Sequence, residues 1–247
     1  MSKIISLTGR NGFFGKTLKP KLEAMGYTVY NSLVPEASHA FLFGAVSSHE
    51  QFKLNPDQCW EDTISTFIRS VQFCRDHNIR LVYPSSITVK TKESSYAHCK
   101  AALEEIQAGY NIDSVGLRIV AGYGPNESHK GYYASVLYKF CKDIKAGIQP
   151  VIWGDGSQTR DFIYQDDAAD WIIKYGFNSK NKIEEIGTGI NTSFTHLIDM
   201  INKVNGSDIQ PVFVDRPATY VQNSFCDHSV ASSTSLEEGI RKTLESL

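Results

Sequence analysis

No two of the five cysteines (Cys59, Cys74, Cys99, Cys141 and Cys226) form a CxxC pair, and their number is odd. Neither a disulfide framework nor a zinc site is therefore expected, and the seven histidines show no pair at ligand spacing. Charge of one sign is also lacking: 25 basic residues face 27 acidic ones, with no basic run and no acidic tail. That removes the electrostatic case for nucleic acid or a membrane surface as partner. No apolar stretch approaches the roughly 20 residues of a membrane span. The N-terminus enters an apolar strand without the h-region and cleavage site of a secretory signal. A reducing, cytoplasmic setting is expected. What remains is ordinary for a globular chain, 41% hydrophobic and 21% charged over 247 residues.

Lys3 to Leu7 reads as a short buried strand followed at once by a glycine-rich turn. Apolar residues then fall at helical spacing from Phe14 to Met25, and Gly26 stops the helix. Tyr27 to Tyr30 and Ala40 to Phe43 read as strands. A long helix is predicted over Asp57 to Asp76, a strand over Ile79 to Tyr83, a helix over Ser95 to Ala108 and a strand over Ser114 to Val120. This alternation implies a parallel sheet covered on both faces. Beyond Gly124-Pro125 the rhythm loosens, with helices expected over Tyr132 to Ala146, Asp166 to Tyr175, Phe194 to Val204 and Leu236 to Leu247.

Gly9, Arg10, Asn11, Gly12, Phe13, Phe14 and Gly15 occupy the first strand–helix junction. Glycines there allow a tight turn and close approach of backbone to a pyrophosphate, and the helix N-terminus directs N–H groups at the phosphates. A plain turn is the alternative. After the second strand, Asn31 and Ser32 stand where a carboxylate would read a ribose 2′-hydroxyl. With Arg10 nearby, the cofactor reads as NAD or NADP, leaning to NADP.

Tyr96 and Lys100 lie four apart on a predicted helix, so their side chains share a face. An ammonium beside a phenol favours the phenolate, which suits Tyr96 to proton exchange during hydride transfer; Lys100 can also hold the nicotinamide ribose. Ser86 ends the preceding strand, where its hydroxyl can bond the reacting oxygen. Alone, Tyr-x-x-x-Lys is a common helix-surface pair; its weight comes from the order glycine turn, serine, tyrosine, lysine.

These residues resemble the extended short-chain dehydrogenase/reductase family, in its NAD-dependent epimerase/dehydratase branch. The similarity runs through Tyr83 to Val89, Leu117 to Pro125, Gly154 to Tyr164, Ile186 to Gly189 and Ser235 to Ile240. It implies an α/β fold, a Rossmann-like doubly wound parallel sheet with a smaller C-terminal substrate lobe; the few residues between Asn31 and Ala40 depart from the family pattern and leave one edge of the sheet trimmed. Residues 1–124 and 160–185 would form the dinucleotide-binding domain, and 125–159 and 186–247 the substrate-binding lobe. It further implies catalysis by Ser86, Tyr96 and Lys100, and cofactor contacts from Phe43, Gly44, Ala45 and Ile119. Substrate contacts would come from Ser86, Thr88, Ala121, Arg160 and Arg216, the two arginines binding a diphosphate; salt bridges are their alternative. The implied partner is a nucleotide-diphosphate sugar. A homodimer through helices 57–76 and 95–108 is also implied, with Cys59, Phe67, Cys74 and Ile106 offering an apolar patch; burial within the monomer is the alternative.

Ile87-Thr88 replaces the Asp-Glu pair of family dehydratases and supplies no cysteine of the kind used for double epimerisation. A 4-epimerase and a 4-keto reductase remain. A non-sugar carbonyl reductase and a catalytically silent dinucleotide sensor are the alternatives.

Overall fold

The computed structural model describes residues 3–217 and 220–247. In chain order the regular elements are β1 (Ile4–Thr8), α1 (Phe13–Ala24), β2 (Thr28–Tyr30), β3 (His39–Leu42), α2 (His49–Leu54), α3 (Pro56–Asp76), β4 (Arg80–Ser86), α4 (Ser95–Tyr110) and β5 (Ser114–Ile119). There follow β6 (Ala121–Tyr123), α5 (Val136–Lys145), β7 (Val151–Trp153), β8 (Thr159–Tyr164), α6 (Gln165–Asn178), β9 (Ile183–Ile186), β10 (Asn191–Ser193), α7 (Phe194–Asn205), β11 (Val212–Val214), β12 (Asn223–Ser224) and α8 (Leu236–Glu245). The chain divides into two compact units: everything up to Ile119 with Ala169–Glu185, and Val120–Ala168 with Ile186–Leu247.

The first unit is built on a six-stranded sheet of order β2-β1-β3-β4-β5-β9. The pairs from β2 through β5 are all parallel. Parallel strands must be covered on both faces. On one side Phe67, Val71 and Cys74 of α3 and Leu103 of α4 pack on Leu81 and Tyr83 of β4. On the other, α1 buries Leu18 and Leu22, and Gly176 of α6 lies against Phe41 and Val82. Residues 31–38 carry no helix or strand, so β2 is the sheet's edge. Cys59, Phe67 and Cys74 are buried inside this unit, which favours burial over an outward patch for these three. Helical spacing identifies an apolar face but not the neighbour it meets. Pro56 opens α3 at the first helical position, where its missing N–H costs nothing. The Ser94 hydroxyl caps α4 by accepting from Ala97 N at 3.2 Å, and left-handed Asn111 ends it.

The second unit centres on β8, which pairs antiparallel with β10 and parallel with β6 and β12. β7 and β11 form a separate parallel ribbon. Leu137, Phe140 and Ile144 of α5, Leu197 and Ile201 of α7, and Ile240 and Leu244 of α8 build its core. The helix expected from Tyr132 starts only at Val136, because Gly131 takes a positive φ and Ser135 supplies the cap. Buried Glu127 fixes that start by accepting from both Ser135 N and Ser135 Oγ at 2.6 Å. The division between units falls at 119/120, 168/169 and 185/186. The reason is strand pairing: β6 and β8 hold each other, so both belong to the second unit.

Candidate active site

Parallel pairing brings the carboxyl ends of β1, β3, β4 and β5 to one edge of the first unit's sheet. Thr8 lies opposite Leu42 there, and Ser86 opposite Ile119. Open α/β sheets bind ligands at this edge.

The glycine turn follows β1. Gly9 takes a positive φ of 72°, and a Cβ on it would stand 2.5 Å from the backbone of Phe43 and Gly44. A Cβ on Gly15 would stand 2.0 Å from Gly9 O. Both glycines are therefore demanded by the turn itself. Gly12 is the N-cap of α1; it supplies no side-chain cap, and the first turn holds no carboxylate. A helix N-terminus lined by glycine backbone and clear of acidic groups fits a pyrophosphate. Phe14 and Phe43 meet edge-on at 6.0 Å, and Gly44 N donates to Thr8 Oγ1 at 3.3 Å, so the 43–45 segment closes one side of the turn. Gly44, Ala45, Asn31, Ser32 and Asn11 are exposed, and Arg10 is half-buried. Asn31 Oδ1 accepts from Arg10 N at 3.4 Å.

Ser86, the last residue of β4, caps the short 3-10 turn Ile87–Lys90. Its Oγ is 2.9 Å from Thr88 Oγ1 and accepts from Thr88 N at 3.3 Å. The Ser86 hydroxyl also lies close enough to the Tyr96 phenol to favour its ionised form. Tyr96 and Lys100 share one face of α4, the ammonium lying 5.6 Å from the phenol ring centroid and donating to Pro84 O at 3.1 Å. Lys100 is only 1% exposed and Tyr96 8%.

Burial governs both ionisations. It pushes the Tyr96 phenol up to about 12, the Ser86 hydroxyl opposing it. It pulls the Lys100 ammonium down to about 8. Loss of water penalises both charged forms, so burial works against the expected lowering of the phenol by Lys100.

In the second unit Ala121 opens β6 beside Phe162. Arg160 Nη1 donates to Thr159 O at 2.7 Å and Gln222 O at 3.2 Å, and Nη2 to Val221 O at 2.7 Å. Its guanidinium also lies 5.4 Å from the Phe194 ring and 5.6 Å from that of Tyr220. Arg216 is exposed and donates to Gln222 Oε1 at 2.7 Å. The two arginines thus meet the same residue, Gln222, which sequence reasoning did not single out. No sequence motif marks it. A buried carboxylate, Asp161, steadies β8 by accepting from Thr188 N, Thr188 Oγ1 and Gly189 N at 3.0, 2.6 and 2.8 Å.

Fold and site together define a Rossmann-like α/β protein with a serine, a tyrosine and a lysine at the carboxyl edge of its sheet. The chain belongs to the NAD dependent epimerase/dehydratase family, whose model matches residues 33–187. The glycine turn lies outside the matched range. A putative UDP-glucose 4-epimerase of Methanocaldococcus jannaschii is 34% identical over 142 residues, covering 55% of this chain and 46% of that protein. A UDP-glucose 4-epimerase of Mycolicibacterium smegmatis is 30% identical over 176 residues, 66% of this chain and 56% of that protein. The chain therefore spans about half the length of the curated relatives it matches. Among solved structures, UDP-glucose 4-epimerase from Thermotoga maritima with UDP-glucose superposes with a TM-score of 0.89 at 21% identity, over 98% of both chains. The Thermus thermophilus UDP-glucose 4-epimerase complex with NAD gives 0.85 at 20%, again over 98% of both.

Proposed function

We propose that this chain is an NAD(P)-dependent enzyme that modifies a nucleotide-diphosphate sugar at one carbon, as a 4-epimerase or a 4-keto reductase. The observation that carries the reading is the placement of Ser86 at the end of β4 beside α4, whose Tyr96 and Lys100 share one face with Lys100 donating to Pro84 O of β4, at the sheet edge that also holds the glycine turn. Gly9, Gly12 and Gly15 would seat the dinucleotide's pyrophosphate, with Phe43 to Ala45 and Ile119 along its length and Lys100 on its ribose. When bound, the dinucleotide supplies hydride uptake and return at the sugar carbon.

The chain's own residues handle the proton. Ser86 Oγ holds the reacting oxygen, and Tyr96 Oη exchanges a proton with it. A phenol near 12 is protonated at neutral pH, which supports the proton-donating half-reaction, carbonyl to alcohol. For the oxidising half-reaction the phenol must first give up its proton, and positive charge on Lys100 assists that step. Arg160 and Arg216 would face the substrate's diphosphate, provided that ligand oxygens replace the Gln222 contacts. The relatives named 4-epimerases favour epimerisation.

For the cofactor, the solved neighbour with NAD supports NAD, whereas the missing carboxylate at Asn31–Ser32 supports NADP; titration with both coenzymes decides, a tenfold preference either way being diagnostic. A homodimer through the outer faces of α3 and α4 belongs to the same reading, now without Cys59, Phe67 and Cys74.

Tyr96→Phe tests the assignment. Turnover should vanish while dinucleotide affinity stays within about twofold; a loss of binding instead overturns the role given to Tyr96. A thermal-shift screen with UDP, GDP, dTDP and CDP separates sugar nucleotides from other carbonyl substrates. Stabilisation by one of them supports this reading, and indifference to all four favours the non-sugar reductase. Bound dinucleotide with no turnover on any carbonyl would leave the sensor.

A further inference from the structure

His49 is the first residue of α2, half-buried, and nothing in the site's assignment uses it. Its ring lies 4.4 Å from the Tyr96 ring, tilted by 54°. Its Nδ1 lies 2.9 Å from Ser94 Oγ, the hydroxyl that caps the helix carrying Tyr96. One side chain therefore touches both the phenol and the start of the phenol's helix. Phe52, one turn along α2, meets the same ring edge-on at 5.5 Å. Trp60 Nε1 of α3 ties down the next residue by donating to Ser95 Oγ at 2.8 Å. The Tyr96 ring is thus boxed on the α2 side by two aromatic rings, with the Ser86 hydroxyl close to its own. His49 also stands only four residues beyond Ala45, the end of the segment that closes the glycine turn.

We infer that His49 is a positioning residue, fixing the Tyr96 phenol toward Ser86 and shielding it from water, and that through it the 43–49 segment couples the glycine turn to the phenol. The inference rests on the reading of Tyr96 as the proton-exchanging group. Ring cover and the Ser94 contact act together: the first keeps the phenol dry, the second sets the helix end from which it projects. The other titratable groups around Tyr96 are Lys100 and Cys99 of its own helix and Cys59 of α3.

The test is a titration of Tyr96 in the full-length protein carrying 13Cζ-tyrosine, its resonance assigned from Tyr96→Phe. In wild type the phenol should titrate well above 10. In His49→Ala it should fall by at least one pH unit, because water reaches the ring. His49→Phe should keep the wild-type midpoint. His49→Gln, which keeps the contact with Ser94 but not the ring, should move it most of the way to the Ala value, and it carries the test should His49→Ala fail to fold. Under the proposed activity, kcat should fall about tenfold in His49→Ala with KM within about twofold, and His49→Phe should restore most of it. An unmoved Tyr96 midpoint in the Ala and Gln variants overturns the inference. A Tyr96→Phe enzyme that still turns over overturns the proposed function instead, and the titration then still judges the ring-cover role of His49.

Discussion

Lys100 carries a consequence that reaches beyond its neighbours. A lysine held near 8 in the folded protein binds fewer protons than the unfolded chain, whose lysines titrate near their ordinary 10.5. Its contribution to stability therefore rises with pH between about 8 and 10.5, and below 8 the full cost of charging a buried ammonium is borne. The difference in urea midpoint, wild type minus Lys100→Met, should grow between pH 7 and 9.5; the raised thiols of Cys74, Cys99 and Cys141 pull both proteins the other way and cancel from that difference. Turnover should move oppositely. If charged Lys100 is needed beside Tyr96, kcat falls above pH 8, and the same limb should be missing from what activity Lys100→Met retains. At this scale type, order and helical spacing suffice to single out Ser86, Tyr96 and Lys100 as candidates, and the structure brings β4 and α4 together at one sheet edge. Their ionisation was not legible, because a pKa depends on burial, which spacing does not report. His49 was equally hidden: it belongs to a six-residue helix with no periodicity to betray it.

The glycine turn sorts its three glycines by what they must tolerate. Gly15→Ala would drive a Cβ to 2.0 Å from Gly9 O. Backbone cannot yield that far, so the substitution should cost ~2 kcal/mol or more and abolish dinucleotide binding with it. Gly12→Ala meets Gly9 O at 3.1 Å, a contact relieved by a small shift. It should fold with a melting temperature close to wild type yet bind dinucleotide more weakly, since the methyl stands where backbone would approach phosphate. Thermal melts paired with calorimetric titration separate the two effects; equal losses in both would show that Gly12 serves only the turn. Elements with long or buried patterns, such as α3, α4, β4 and β5, were readable to within a few residues. The strands of the second unit were not: β6, β7, β10, β11 and β12 are two or three residues long and owe their existence to partners distant in sequence.

The whole chain is threaded rather than strung in sequence. The first unit is left at Ile119 and rejoined at Ala169, so its sheet is completed by β9 only after the chain has built much of another core. A fragment ending at Ile119 would keep the glycine turn, Ser86, Tyr96 and Lys100 but expose the full edge of β5 and the face that Gly176 covers. It should bind hydrophobic dyes and melt without a cooperative transition, whereas the intact chain melts cooperatively; a sharp transition in the fragment would show that β9 and α6 are dispensable. The residues at which the chain crosses between units are decided in part by β6 finding β8, a pairing about 40 residues apart that no local pattern announces.

This threading also sets a schedule on the ribosome. With synthesis at about 5–20 residues per second, the interval between the exit of β5 and that of β9 is several seconds. Through that interval the nascent sheet presents an unpaired apolar border, the kind of surface that sticks to other chains. Slow codons or a shortage of holdase chaperones during those seconds should therefore lower the yield of soluble protein without altering the stability of the molecules that finish.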